Sequence, residues 1–156
     1  MPEKKTVERA RIAKREGKAP STQAGEFVRE EIEHIREGKH GARSTKQAIA
    51  IGLSKARRAG VKLRPPERGT VPEKTRQQAE REYERAGKGR DEQASPKRRR
   101  ATTRALQREG KGAASKAALA RQARTVAHRR TAGQRSASAR KAARTRQLRR
   151  RSSAKD

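Results

Sequence analysis

Apolar positions recur at helical spacing most clearly in one stretch, Ser44 to Gly60, which reads STKQAIAIGLSKARRAG. On a 3.6-residue period Ala48, Ile49, Gly52, Leu53, Ala56 and Ala59 fall on one stripe. Ser44 is placed to cap the first turn, and Gln47 three residues later to reach back to it, a capping box. Gly60 supplies the left-handed residue that commonly closes a helix. Ile51 falls off the stripe, which offers a handle for self-association.

A second amphipathic stretch precedes it. Ser21 or Thr22 is placed to cap a helix that runs to Glu37, with Gly38 as its stop. Phe27, Val28, Ile32 and Ile35 cluster on one side, interrupted by Glu31. Glu26, Glu30, Glu33, Arg36 and Glu37 occupy the other sides, where they form a solvated acidic face or meet a protein partner. The Gly-containing loop Lys39–Arg43 between the two stretches predicts an antiparallel helical hairpin over residues 21–63, with Val61 and Leu63 folded back. Nine of the chain's 16 Leu, Ile, Val and Phe residues lie between Phe27 and Leu63, so the core belongs there.

The flanks carry weaker signals. Residues 1–20 read as a basic N-terminal arm. Glu3 to Glu16 is weakly helical, with Val7 and Ile12 its only sizeable apolar residues, before Gly17 and a break at Lys18-Ala19-Pro20. Residues 64–93 read as a linker built on Pro65-Pro66, Gly69 and Pro72. It contains a short helix, Pro72 to Ala86, with Thr70 and Glu73 as a capping box, and it ends at Gly87, Gly89 and Asp91. From 94 to 156 the apolar pattern fades, and 16 of 63 residues are alanine.

Composition changes the picture by limiting the core. The 16 large apolar residues are about a tenth of the 156-residue chain, which carries 45 Lys plus Arg against 17 Asp plus Glu, a net +28. Below roughly 20% of such residues at high net charge, burial cannot offset chain entropy. The expected fold class is mostly α with extensive disorder: a small helical hairpin plus a long basic Ala/Lys/Arg-rich arm. That arm, 94–156, holds 21 Lys plus Arg against two acids. Like-charge repulsion keeps it frayed in water, and a polyanion would let it become helical.

A chain with this charge points to nucleic acid, because each cation that meets a phosphate releases a condensed counterion. The candidate contacts are Lys39, Arg43 and Lys46 in and after the interhelical loop, and the arm's Lys97, Arg98, Arg99, Arg100, Arg104, Arg108, Lys116, Arg121, Arg124, Arg129, Arg130, Arg140, Lys141, Arg144, Arg146, Arg149, Arg150 and Arg151. The loop KHGARSTK combines glycine with a helix N-terminus, which suits an anion as well as it suits a capped interhelical turn. It lacks the spacing of a nucleotide-binding loop. None of the clusters predicts base readout, so affinity without sequence specificity is expected. One Phe, one Tyr and no Trp exclude a stacking platform for single strands. Duplex DNA is the leading partner, and structured RNA meets the same requirements.

Other chemistry finds little support. There is no cysteine, and His34, His40 and His128 are read as solvated and as making no metal set. No catalytic constellation and no cofactor motif is found, so a non-enzymatic protein is expected. No apolar run suits a membrane, and the first residues lack a signal-peptide core, which predicts a cytoplasmic, nucleoid-bound location.

The segment Gly25 to Gly60, with its run Ser44-Thr45-Lys46-Gln47-Ala48-Ile49-Ala50-Ile51-Gly52-Leu53-Ser54-Lys55-Ala56-Arg57-Arg58-Ala59-Gly60, resembles a family of small basic bacterial proteins labelled uncharacterised, DNA-binding or plasmid-stabilisation. The arm is similar in composition to bacterial linker-histone-like tails. The resemblance implies a nucleoid-associated DNA-binding protein and no catalytic residues. An RNA- or ribosome-associated protein, and a hairpin that binds protein while the arm tethers it to nucleic acid, stand as alternatives.

Overall fold

The computed structural model describes residues 2–87 and 95–153, and its regular elements are helices. In chain order they are α1 (Lys4–Arg15), α2 (Pro20–Glu37), α3 (Thr45–Arg58), α4 (Glu73–Gly87), α5 (Pro96–Gln107), a single 3-10 turn (Gly112–Ala114), α6 (Lys116–Arg129) and α7 (Ala132–Ser153). No strand occurs among the described residues. The chain is mostly α, as its pattern predicts.

Local chemistry sets the boundaries. The Ser44 hydroxyl accepts from the Gln47 N–H at 3.2 Å. The Gln47 side-chain oxygen accepts at 2.8 Å from the N–H of Arg43 rather than that of Ser44, so the box closes one residue further out. Gly60 closes α3 at φ +86°. The Val61 N–H then donates to the Ala56 carbonyl at 3.0 Å, a Schellman turn that sends Val61 back into the core. α2 departs from expectation at its start. Pro20 is its first residue, after Ala19, and Ser21 and Thr22 lie inside the first turn. A proline there loses an N–H that had no helical partner, and its fixed φ is already helical. The Thr70–Glu73 box does not form either. Thr70 donates its hydroxyl to the Glu67 carbonyl at 2.6 Å, and Glu73 accepts from Arg76 instead.

α2 is the centre of the first compact unit, residues 1–118, with α1 and α3 packed on it and α4 on α3. The core gathers Ala10, Ala24, Phe27, Ala56 and Val61, fringed by Val7, Leu53 and Leu63. α3 contributes small residues: Thr45, Ala48, Gly52 and Ala56 are buried, Ile49 and Leu53 only half-buried, and Ala59 exposed. The reason is close approach. A Cβ on Gly52 would sit 2.6 Å from the Val28 Cα, so the backbones of α2 and α3 touch there.

Two expectations about the unit's extent are corrected. Residues 1–20 are not a free arm, because α1 buries Thr6, Ala10 and Ala13 against α2 and leaves Ile12 exposed. The contact uses small side chains and ion pairs, Arg9–Glu26 at 2.9 Å and His34–Glu3 at 3.0 Å, which a search for large apolar residues overlooks. Nor does the folded part end at 63. Gly41 N–H donates to the Leu106 carbonyl (2.9 Å), Ala42 N–H to Gly110 (3.2 Å), the Thr45 hydroxyl to Ala113 (2.7 Å) and Arg36 Nε to Ala114 (2.9 Å). Ala114 is fully buried. A side chain at Gly41 would run into the Glu109 carbonyl. Gly89, Asp91 and the expected boundary at 93/94 lie outside the described residues.

The second unit, residues 119–156, takes in most of α6 and α7. Among the described residues none in it is buried. Its helices need only local hydrogen bonds and the strong helix propensity of Ala and Arg.

Candidate nucleic-acid interface

The basic helices and the interhelical loop hold their cations differently. Lys97, Arg100 and Arg104 on α5, Arg108 just beyond it, Lys116, Arg121, Arg124 and Arg129 on α6, and Arg130 just beyond it are all exposed. So are Arg140, Lys141, Arg144, Arg146 and Arg150 on α7. Arg98, Arg99, Arg149 and Arg151 belong to α5 and α7, but their side chains lie outside the described residues. Arg135 joins this set unanticipated: it is exposed on α7 and donates to the Arg130 carbonyl at 2.6 Å. Its type and its place in an acid-poor run were signal enough.

The ion pairs that tie α1 to α4 together run from Glu3 to Glu82, and among the side chains described from Lys97 to Arg150 no cation is paired with an acid. Successive residues of a helix turn by about 100°. The α7 cations at 135, 140, 141, 144, 146 and 150 therefore spread over about two-thirds of the circumference, and no apolar stripe opposes them. A 22-residue helix of this kind extends about 33 Å. Most of its sides carry charge to a duplex.

The interhelical loop has fewer free donors than its sequence suggests. Lys39 is held by Glu37 at 2.9 Å and Glu3 at 3.5 Å. The hydrogen bond to Glu37 holds its pKa above the ordinary lysine value. The N–H groups of Gly41, Ala42, Arg43 and Gln47 are all committed within the fold. Arg43 and Lys46 stay exposed and make no ion pair, so the loop offers a phosphate these two side chains, with those four backbone N–H groups turned into the fold.

The acids of α2 are a solvated face only in part: Glu33 and Glu37 are exposed, but Glu30 and Glu31 are not. Glu30 is 2% and Glu31 0% exposed. Lys55 of α3 reaches both, at 3.8 Å from Glu30 Oε1 and 2.6 Å from Glu31 Oε2. The Glu3 N–H donates to Glu30 Oε2 at 3.1 Å. Glu31 thus interrupts the apolar side of α2 because a lysine from the next helix arrives there. Arg57 is likewise buried, donating to the Leu63 carbonyl at 3.1 Å with Glu82 of α4 at 3.7 Å. Burial lowers its pKa, and the Glu82 charge opposes that shift.

The histidines are not all solvated. His128 is exposed, but His34 and His40 are mostly buried beside Glu31. Ligand-capable atoms of Glu31, His34 and His40 all lie within 4.8 Å of one another, against the expectation of no metal set. The carboxylate that the sequence did not offer them comes from one turn earlier on α2. His34 also meets Glu3, whose carboxyl is held below its ordinary pKa chiefly by that hydrogen bond.

Residues 4–68 match the model of a family of unknown function, DUF6496. The matched segment takes in α1, α2 and α3 and leaves the basic helices outside it. That description names no activity or partner. No curated protein and no solved structure matches the chain.

Proposed function

We propose that this is a non-enzymatic, sequence-independent duplex-DNA-binding protein that acts at the nucleoid in the cytoplasm, gripping phosphates through the helices of its basic half. The observation that carries this reading is the run of exposed cations from Lys97 to Arg150 without an acidic partner among the described residues. Such charge is neutralised best by a closely spaced polyanion. The scarcity of aromatics argues against base stacking, and a helix with charge around most of its circumference argues against reading one groove edge.

On this reading α6 and α7 exchange with coil in the free protein, because local hydrogen bonds alone hold a highly charged helix weakly. Phosphates remove the repulsion and fix them. The role resembles that of a linker-histone-like tail, with residues 1–118 as a folded platform.

Binding to duplexes of unrelated sequence at several salt concentrations tests this. Affinity should fall by roughly 10³-fold or more between 50 and 200 mM salt and differ little between sequences. A flat salt dependence sinks the reading. Recovery from cells of ribosomal RNA that resists DNase, without DNA, moves the protein to structured RNA. Capture of a protein by residues 1–118, with nucleic acid dispensable, makes the folded unit an interaction module.

A further inference from the structure

At the C-terminal end of α2, two imidazoles and a buried carboxylate converge. The rings of His34 and His40 meet edge to face with centroids 6.1 Å apart. Glu31 lies three residues before His34 on α2, so both side chains project from one helix face. Glu31 is fully buried, and neither of its carboxylate oxygens has an aligned hydrogen bond. The neighbouring cations are Lys55 Nζ, 2.6 Å from Oε2, and Lys39, which is engaged with Glu37 and Glu3. The remaining acids nearby are Glu3 and Glu30.

The orientation of His40 sharpens the point. Its Nδ1 lies 3.1 Å from the Gly41 carbonyl. A carbonyl only accepts, so Nδ1 carries the proton. On a neutral ring Nε2 then presents a lone pair, and it faces Glu31 Oε1 at 3.4 Å. Two acceptors facing each other need a cation between them or a second proton on the ring. A backbone carbonyl on the far nitrogen is also how a metal-ligating histidine is commonly held.

We propose that Glu31 Oε1, His40 Nε2 and the His34 imidazole form a site for a divalent transition-metal ion of the Zn²⁺ type. Two imidazole nitrogens and a carboxylate oxygen suit that ion. Donors around tetrahedral zinc stand roughly 3.3 Å apart; Glu31 Oε1 and His40 Nε2, 3.4 Å apart, already have that spacing, and the His34 ring closes in on them. His34 and His40 retain 13% and 15% side-chain exposure, which gives the ion a path from solvent. Lys55 stays on Oε2 and balances the charge. The bound ion ties the end of α2 to the loop on which residues 106–114 dock.

The test uses the full chain, stripped with a chelator and titrated with Zn²⁺ by calorimetry, with Co²⁺ as the spectroscopic probe. One equivalent of Zn²⁺ should bind with micromolar or tighter Kd and raise Tm. Co²⁺ should give visible absorption bands of a low-symmetry site. The double variant H34A/H40A should bind at least about 30-fold more weakly, while H128A binds as the parent does. Because the double variant removes packed rings, His40→Gln with Co²⁺, and the ring ¹⁵N shifts of His40 in the parent chain, give readouts independent of its folding. The proposal is overturned if Zn²⁺ binding is absent or unchanged in H34A/H40A. It is equally overturned if the His40 ring carries two protons at neutral pH and ignores added Zn²⁺.

Discussion

Arg57 and Arg144 carry the same guanidinium in opposite settings. Arg57 is 5% exposed, donates to the Leu63 carbonyl and lies beside Glu82. Arg144 stands exposed on α7, where no acid pairs with it among the described residues. The contrast extends to their regions. In α1 to α4 many cations are neutralised by acids of another helix, and those pairs bring the elements together: Arg9 with Glu26, Lys55 with Glu31, Arg57 with Glu82. In α6 and α7 there is no acid among the described residues to meet, so the helices make no such contact and their charge stays available. A basic residue in this chain is structural where an acid from elsewhere reaches it. It is offered outward where none does.

The largest test of that contrast is removal of residues 119–156, which hold 13 Lys and Arg. The fragment 1–118 should keep its helical signal and thermal transition yet lose roughly 10³-fold in DNA affinity at near-physiological salt. A fragment that binds as the full chain does would assign the grip to the wrong half. Next comes Glu82→Ala, which leaves Arg57 buried without its acid. Removing one member of a buried pair costs about 3 kcal/mol, visible as a lower Tm, while the salt dependence of DNA binding stays unchanged. Gly52→Ala is milder. Its methyl group meets the Val28 backbone, and forcing the helices apart costs about 2 kcal/mol, again without effect on the basic half.

The smallest effect is electrostatic and local. Glu73 sits in the first turn of α4 with its pKa lowered from 4.5, chiefly by the hydrogen bond from Arg76. A depressed carboxyl pKa stabilises the fold above the unfolded value and loses that contribution as pH falls through the folded one. Helicity of α4 should therefore weaken on acidification below about 4.5, and Glu73→Gln should flatten that part of the profile. An unchanged acid profile in the variant would show that the Glu73–Arg76 pair does nothing for the helix.

Ser44, Gln47 and Gly60 were legible because capping is decided within a few residues of the chain. The exposure of Arg121, Arg144 and their neighbours was legible because a long run with almost no acid and few large apolar residues has little to fold against. The small-residue face of α3 was only half legible. Periodicity placed Ala48, Gly52 and Ala56 on the right stripe, but it also placed Ile49 and Leu53 there, and the close approach at Val28 decided which of them lie deepest. Glu31 was misread for a related reason. Period and polarity mark a carboxylate as an interruption, and nothing local announces that Lys55 and His40 will come to it. α1 was undervalued because its contacts are alanines and ion pairs. That the Gly41 and Ala42 N–H groups of the KHGAR loop are taken by carbonyls of residues 106 and 110 was not legible, because those carbonyls come from far along the chain.

By itself, then, the sequence determined that this chain is helical, where its helix of clearest pattern starts and stops, and that its second half carries charge it cannot neutralise. Propensity, capping and net charge are sums over near neighbours. Only the tertiary structure decided that Glu30, Glu31 and Arg57 are interior, that α1 and residues 106–114 belong to the folded unit, and that His34 and His40 share a carboxylate. Burial and pairing depend on which surface arrives from elsewhere in the chain, and no local sum contains that.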